Sequence, residues 1–513
     1  MTLKWNEKLD RSNRKHYLVL FLLLFLLIFT LAFELVGVYN QNQTSSVQII
    51  YVESDKPAVF KTDPRFLSLG LDAIVIANGF RRFNMSDPRL IKMIKYLGPG
   101  YLRIGGNLQE RIKFSLLNDT NEYLQDDNIA LDLVPNITLT ASNWLKLNKL
   151  ASSANMEIFY GLNALQRFPN GSWDPRNAEI MIKYTTDHGF KVNWELGNEP
   201  NSFRHKFNEA VNATQMSKDF VVLRSILNKY SKYNRSMLVG PDTTRPQRNP
   251  ESQIYLEQFI KRGSFEVDKI TWHQYYVNGH NTSAEEFLDP KIYDLLKFQI
   301  DRVKEITNKT HRAIWLGETS SAYGGGAPEL SDRFTSVFMW LDKLGLAAKL
   351  GVELVMRQSI FHGNYSLLDD FYNPNPDWWV SLIYKRYVGQ VVVPIYNVTT
   401  DRVRLYAHCS KNIVQKGITI FGFNVDHSPA NVELQGLRNL DGRVPPYVEE
   451  FLLQTNYLTS KNVFCNGRLL AMLPGNQLPN IFGVIKNISP YLTLPPFSVV
   501  FWNIPNVRVK ACM

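Results

Sequence analysis

The sequence predicts an α/β protein: a (β/α)8 barrel followed by a C-terminal β-sandwich. Over residues 66–377, eight short runs rich in apolar and β-branched residues alternate with amphipathic helical stretches, the pattern of a parallel sheet. Eight is the number of strands that closes such a sheet into a barrel. From about Trp378 the alternation stops, and short strands succeed one another with only turns between them, as in a sandwich. A doubly wound sheet is the alternative for the first part. The length of 513 residues suits two domains.

Residues 1–40 come first. Tyr17–Phe33 is an unbroken apolar run of 17 residues, preceded by Lys4, Lys8, Arg11, Arg14 and Lys15. That is a secretory targeting segment. The run is long for a signal peptide core of about 7–15 residues and short for a span of about 20. No A-x-A exit follows and the basic region is long, so an uncleaved signal anchor with its basic end cytoplasmic is favoured over a cleaved peptide. Either version sends the rest into the secretory pathway, to a membrane-anchored, secreted or lysosomal destination. The N-x-[ST] sequons agree: Asn42, Asn84, Asn118, Asn136, Asn170, Asn212, Asn234, Asn281, Asn308, Asn364, Asn397 and Asn487, expected in surface loops.

Residues 41–65 hold an extended segment, VQIIYVE (Val47–Glu53), able to pair with the sandwich. The barrel runs follow in order: LSLGLDA (67–73), GYLRIGG (100–106), EIFYGLNA (157–164), KVNWELGNE (191–199), MLVGPD (237–242), DKITWHQYY (268–276), AIWLGET (313–319) and ELVMRQS (353–359). Helical periodicity is expected over Pro88–Leu97, Ala178–His188, Ser217–Tyr230 and Asp332–Leu350. In residues 378–513, VVVPIYNV, RVRLYAHC, ITIFGFNV, VEEFLLQ, LTLPPFSVVFWNI and RVKACM read as strands.

A net charge of +10 suits an acidic partner. There is no Lys/Arg run and no nucleic-acid-binding motif, so nucleic acid is not expected. The three cysteines, Cys409, Cys465 and Cys512, include no C-x-x-C pair, and neither a metal nor a cofactor is implied.

Barrel active sites lie where the strands end. Strand four ends in Asn198-Glu199-Pro200 and strand seven in Gly317-Glu318-Thr319. Two carboxyl groups at one rim are what glycoside cleavage requires: one protonates the leaving oxygen while the other attacks the anomeric carbon, about 5–5.5 Å away in a retaining enzyme. Glu195, deeper in strand four, is the competitor, in a position where a carboxylate more often pairs with a neighbouring base. Asn198 is placed to bond a sugar 2-hydroxyl. Strand six ends in Trp272, His273, Tyr275 and Tyr276, and a tyrosine there can orient the nucleophile. Gly324, Gly325 and Gly326 allow close approach of backbone to ligand.

WELGNEPNSF (194–203) and WLGETSSAYGGGAPELSDRF (315–334), with GLNAL, YLRIGG, GPD, FMWLDKLGL, VMRQ and GNY, resemble the heparanase family, glycoside hydrolase family 79, from about residue 66 to the C-terminus. The resemblance implies a (β/α)8 barrel with a β-sandwich and retaining endo-β-glucuronidase activity on heparan sulfate or a related acidic glycosaminoglycan. It assigns Glu199 as acid/base, Glu318 as nucleophile and Tyr275 as the nucleophile's support. It puts Asp72, Gly324, Gly325, Gln358 and Tyr365 at the substrate, where His273 and Gly363 are expected to join them, and pairs Cys409 with Cys512, leaving Cys465 free.

The chain departs from the pattern at the groove. Asn107 stands for a Thr, Ile74 for an Asn and His280 for an Arg, and the arginines after GPD are rearranged as Arg245-Pro246-Gln247-Arg248. The segment between Gly106 and Leu150 is shorter than the excised linker of mammalian members, so a single-chain enzyme is expected. An exo-acting β-glucuronidase and a catalytically silent heparan-sulfate binder are the competing functions. The silent members lose catalytic carboxylates, whereas both are present here. The mechanism implies an acidic pH optimum.

Overall fold

The computed structural model describes residues 47–513, apart from 118–122, 125–128, 234–235, 248–249, 264–265, 399 and 412–416. The targeting segment, Asn42, Asn118, Asn234 and Arg248 therefore lie outside the described residues. Among the described residues no helix is long and apolar enough to cross a membrane.

The eight expected runs form eight parallel strands: β1 (Leu67–Asp72), β2 (Gly100–Gly105), β3 (Met156–Leu162), β4 (Val192–Leu196), β5 (Val239–Thr243), β6 (Lys269–Gln274), β7 (Ile314–Thr319) and β8 (Leu354–Arg357). They hydrogen-bond in the order β4-β3-β2-β1-β8-β7-β6-β5. The ring closes between β4 and β5 through a parallel bridge from Trp194 to Leu238, with Trp194 N–H donating to the Met237 carbonyl at 3.0 Å. Nearly every residue of these strands is buried, because a barrel strand faces packed side chains inside and helices outside.

The barrel interior is layered along β2. Tyr101 points inward into an aromatic layer with Phe159 and Trp315, at centroid distances of 4.9 and 5.8 Å. Two residues further on, a strand's side chain returns to the same face, so Arg103 stands above that layer, one step nearer the rim where the strands end.

Helix boundaries differ from the expected ones where caps decide them. The helix expected from Ser217 begins at Ala213, because the Asn212 side chain accepts the Gln215 N–H and caps it. The helix expected from Asp332 begins at Ser336 and lacks a side-chain cap. The division expected at 377/378 falls inside helix Pro376–Tyr387, which packs on the barrel helix Ser336–Lys349. Asp377 is buried there, accepting from Arg357 at 2.6 Å and from Ser336 at 2.8 Å.

The C-terminal part is two packed sheets. In the smaller, Val47–Val52 lies between Ile395–Val398 and Ala430–Gln435, with Leu492–Leu494 at the edge. In the larger, Val388–Val392, Val403–Ser410, Ile418–Asn424, Ser498–Ile504 and Tyr447–Gln454 form an antiparallel run. Ile50, Val52, Val432, Ile420, Trp502 and Ile504 fill the space between them. On its other face the larger sheet gives Phe421, Phe423 and Phe501 to the barrel's core. Cys409 and Cys512 form a disulfide, and Cys465 is free and buried.

Of the described sequons, Asn84, Asn136, Asn170, Asn212, Asn281, Asn308, Asn364 and Asn487 are exposed. Asn397 differs: its amide nitrogen donates to the Leu405 carbonyl at 3.1 Å and its oxygen is buried, so the acceptor nitrogen faces the sandwich.

Candidate active site

The rim at the strand ends carries a cleft of about 630 Å³, lined by Glu199 and Glu318 together with Asp72, His273, Tyr275 and Arg245. The two carboxylate side chains are only 14% and 12% exposed, so a bound ligand would shut them from bulk water.

Glu318 reaches the cleft through irregular pairing. The β6–β7 register shifts between Trp272 and His273, and the β7–β8 register shifts between Leu316 and Thr319. Such bulges re-aim side chains. Gly317 leaves room beside it, since a Cβ there would lie 2.6 Å from Asp242 Oδ1. Both oxygens of Glu318 are held. Oε1 accepts from the Tyr275 hydroxyl at 2.7 Å, and Oε2 accepts from Arg103 at 2.8 Å. Below it, the buried Lys343 Nζ donates to Thr319 Oγ1 and the Ser320 carbonyl at 2.5 and 2.6 Å, fixing the end of β7.

Glu199 follows β4 with φ 54° and ψ 56°, a left-handed conformation that costs a non-glycine residue about 1–2 kcal/mol. Three bonds hold the turn. Glu199 N–H donates to the Asp242 carbonyl at 2.9 Å. Asn198 N–H and Ala164 N–H each donate to Glu110, both at 2.7 Å. Burial pushes the Glu110 carboxyl up to about 8, against the pull of these N–H groups.

The Glu199 side chain meets two cations. Oε1 lies 3.0 Å from His273 Nδ1, and Oε2 touches the Lys206 ammonium. Burial alone would raise its pKa, but Lys206 and His273 overcome this and hold the carboxyl well below the usual range. His273 sits between Glu199 and Asp242, whose Oδ1 is 3.4 Å from Nε2. Burial would lower its pKa, yet Glu318, Asp242 and Glu199 together raise it to about 9. Asp72 is pushed up to about 6, by burial first and by the Glu318 charge second.

Arg103 is the hub. Its guanidinium donates to Glu195 at 2.8 Å, to Glu318 and to Asn198 Oδ1 at 3.0 Å. Glu195 is thus a buried partner of a base, and Glu199 is the strand-four carboxylate at the cleft. Asn198 also donates to Asn107 at 3.0 Å.

The remaining expected residues gather around these. Gln358 donates to Asp72 at 2.8 Å, and Tyr365 stacks on Tyr275 at 6.3 Å. Gly324, Gly325 and Gly363 all have positive φ and line the cleft with Asn107. His280 is exposed beside Gly324, where an added Cβ would come 2.9 Å from Nε2. Arg245 lies 4.9 Å over the Tyr323 ring and donates to the Tyr275 carbonyl.

Arg103, Lys206, Glu110 and Asp242 escaped the sequence reading. A charged residue on the inward face of a barrel strand was the available signal for Arg103. Nothing in the spacing points to Lys206.

Paired acidic side chains in a cleft at the rim of a (β/α)8 barrel are the arrangement of a glycoside hydrolase. The model of "Glycosyl hydrolase family 79, N-terminal domain" matches residues 76–345, and the chain belongs to that family. It is 35% identical to the heparanase of Gallus gallus over 497 residues, covering 88% of this chain and 94% of that one. It is 31% identical to the inactive heparanase-2 of Homo sapiens, over 90% and 88% of the two chains. Among solved structures, a 4-O-α-L-rhamnosyl-β-D-glucuronidase from Fusarium oxysporum superimposes with a TM-score of 0.67 over 89% of this chain and all of that one, at 14% identity, a likeness of fold.

Proposed function

We propose that the protein is a retaining endo-β-D-glucuronidase that cuts heparan sulfate or a related acidic glycosaminoglycan, with Glu318 as nucleophile and Glu199 as acid/base. The observation that carries this is the double clamp on Glu318: Tyr275 and Arg103 hold both oxygens at the cleft that Glu199 shares. A donor to each oxygen fixes the carboxyl group in place and orients it, as a nucleophile requires.

In the first step an oxygen of Glu318 bonds the anomeric carbon. The glycosidic C–O bond breaks, and its electron pair leaves with the oxygen, which takes the Glu199 proton. In the second step Glu199, now a carboxylate, removes a proton from water as the water oxygen displaces Glu318. The relationship to a heparanase supports a heparan sulfate substrate, and the +10 charge supports an acidic one. The similarity to an inactive heparanase-2 raises a silent binder as the second reading. Retention of both carboxylates and their clamps opposes it. The disulfide and the exposed sequons support a secretory-pathway location.

The test is the size distribution of heparan sulfate after incubation with the protein, beside a Glu318→Gln control. Rapid shortening by the native chain alone is expected. Unchanged chains with heparin binding retained would favour the silent binder, and release of monosaccharide without shortening would favour exo action.

A further inference from the structure

A general acid must carry a proton when substrate is bound, yet Glu199 is held as a carboxylate by two cations in this protein. The charged groups that face it are Lys206, His273 and Arg245, with Asp242 behind His273 and Glu318 in the same cleft. These cations differ in freedom. His273 is 1% exposed and wedged between two carboxylates, so it cannot leave. Arg245 is tied to the Tyr275 carbonyl and the Tyr323 ring. Lys206 is 21% exposed and rides on the short helix Phe203–Phe207, anchored by its two buried phenylalanines. Its ammonium reaches the cleft wall, donating to Asn107 Oδ1 at 2.7 Å as well as touching Glu199. A flexible lysine stem exchanges partners at little cost.

Position gives this freedom a use. The acid stands beside the leaving oxygen, so the sugar beyond the scissile bond lies on the side of Glu199 and its contact Lys206, in the cleft that Ser202, Thr244 and Gln247 also line. An anionic substituent on that sugar competes with Glu199 for the ammonium. We propose that Lys206 is a substrate-displaced latch: it holds Glu199 ionised in the free protein, and a sulfate or carboxylate on the leaving-side sugar draws it off, so that Glu199 takes up a proton from solvent and becomes the acid. Lys206 is a positioning and specificity residue in this scheme, acting through Glu199, and the inference rests on Glu199 being the acid/base.

The latch makes substrate charge act on kcat and not on binding alone. The experiment compares a heparan sulfate oligosaccharide with its desulfated, N-acetylated counterpart, using the full chain and its Lys206→Met and Lys206→Arg variants across pH. In the native chain, kcat for the sulfated oligosaccharide exceeds that for the desulfated one by about tenfold, one unit of acid pKa. In Lys206→Met the two kcat values converge to within about twofold. The basic limb of kcat/KM, which reports the free enzyme, moves to higher pH. Lys206→Arg keeps the preference. Equal loss of kcat on both oligosaccharides in Lys206→Met, or an effect confined to KM, would overturn the latch and leave Lys206 a simple binding cation. Glu199→Ala with azide and an activated aryl glucuronide separates the two levels. Formation of the glucuronyl azide keeps Glu199 as acid/base whatever Lys206 does, whereas undiminished activity of Glu199→Ala without azide removes that assignment and the latch with it.

Discussion

Replacing Tyr275 by Phe removes one hydroxyl and leaves the ring against Tyr365 in place. The lost contact is the 2.7 Å bond to Glu318 Oε1. A hydrogen bond to a charged group contributes about 1.5–3 kcal/mol. If the clamp acts in the transition state, kcat/KM falls by about 10- to 150-fold, at 1.36 kcal/mol per decade. Arg103 still holds Oε2, so activity drops without vanishing. The fold is little affected, because among the described residues the hydroxyl makes no hydrogen bond besides the one to Glu318. Initial rates on an aryl glucuronide, with urea unfolding as a control, supply both numbers. A kcat/KM within twofold of the native value would refute the clamp, and a fall matched by lost stability would reassign Tyr275 to the scaffold.

Asp377→Leu strips the partner from the buried Arg357 guanidinium, whose side chain is 1% exposed, and is expected to cost about 3–5 kcal/mol in urea unfolding. Pairing it with Arg357→Met should recover most of that loss; a double variant as unstable as the single would contradict the pair's accounting. His273 has its pKa raised from 6.5 to about 9 by Glu318, Asp242 and Glu199, against the lowering effect of burial. The stabilisation is complete below about pH 6.5 and lost as pH rises through 9, amounting to about 3 kcal/mol. The stability gap between the native chain and His273→Gln should shrink by that amount between pH 6 and 10; a constant gap would show that the imidazole is neutral. Removing the Cys409–Cys512 disulfide, which closes a separation of 103 residues, should cost about 2–4 kcal/mol, read by unfolding Cys409→Ser; no change would mean that the C-terminal tail is held by its packing alone.

The barrel was legible because its strands are continuous apolar runs, each followed by a helix. Val192–Leu196 and Ile314–Thr319 are apolar enough to stand out, and the acidic residues at their C-terminal ends, Glu199 three residues past the first and Glu318 last but one in the second, are the feature the chemistry needs. The resemblance carried the residues whose roles depend on distant neighbours, such as Asp72 and Gln358, 286 positions apart yet 2.8 Å in contact. What stayed hidden depends on reach and not on pattern. Lys206 lies seven residues beyond Glu199, and only the turn through the left-handed Glu199 and helix Phe203–Phe207 folds it back. Glu110 looks like a surface residue of a polar stretch until the turns after β3 and β4 present the Ala164 and Asn198 N–H groups to it. Asn212 was visible as a sequon, and its use as a helix cap moved the helix start four residues upstream. Asn397 fits the sequon pattern equally well, but its neighbours Ile395 and Leu405 turn its amide inward.

The assignment of Glu318 as a covalent nucleophile is tested most directly by trapping. Incubation with 2-deoxy-2-fluoro-β-D-glucuronyl fluoride, proteolysis and mass spectrometry should find the fluorosugar on the peptide containing Glu318, with Glu318→Gln unlabelled. A label on Glu199, or turnover with no label and an inverted first product by proton NMR, would contradict the retaining mechanism and the roles given to both carboxylates.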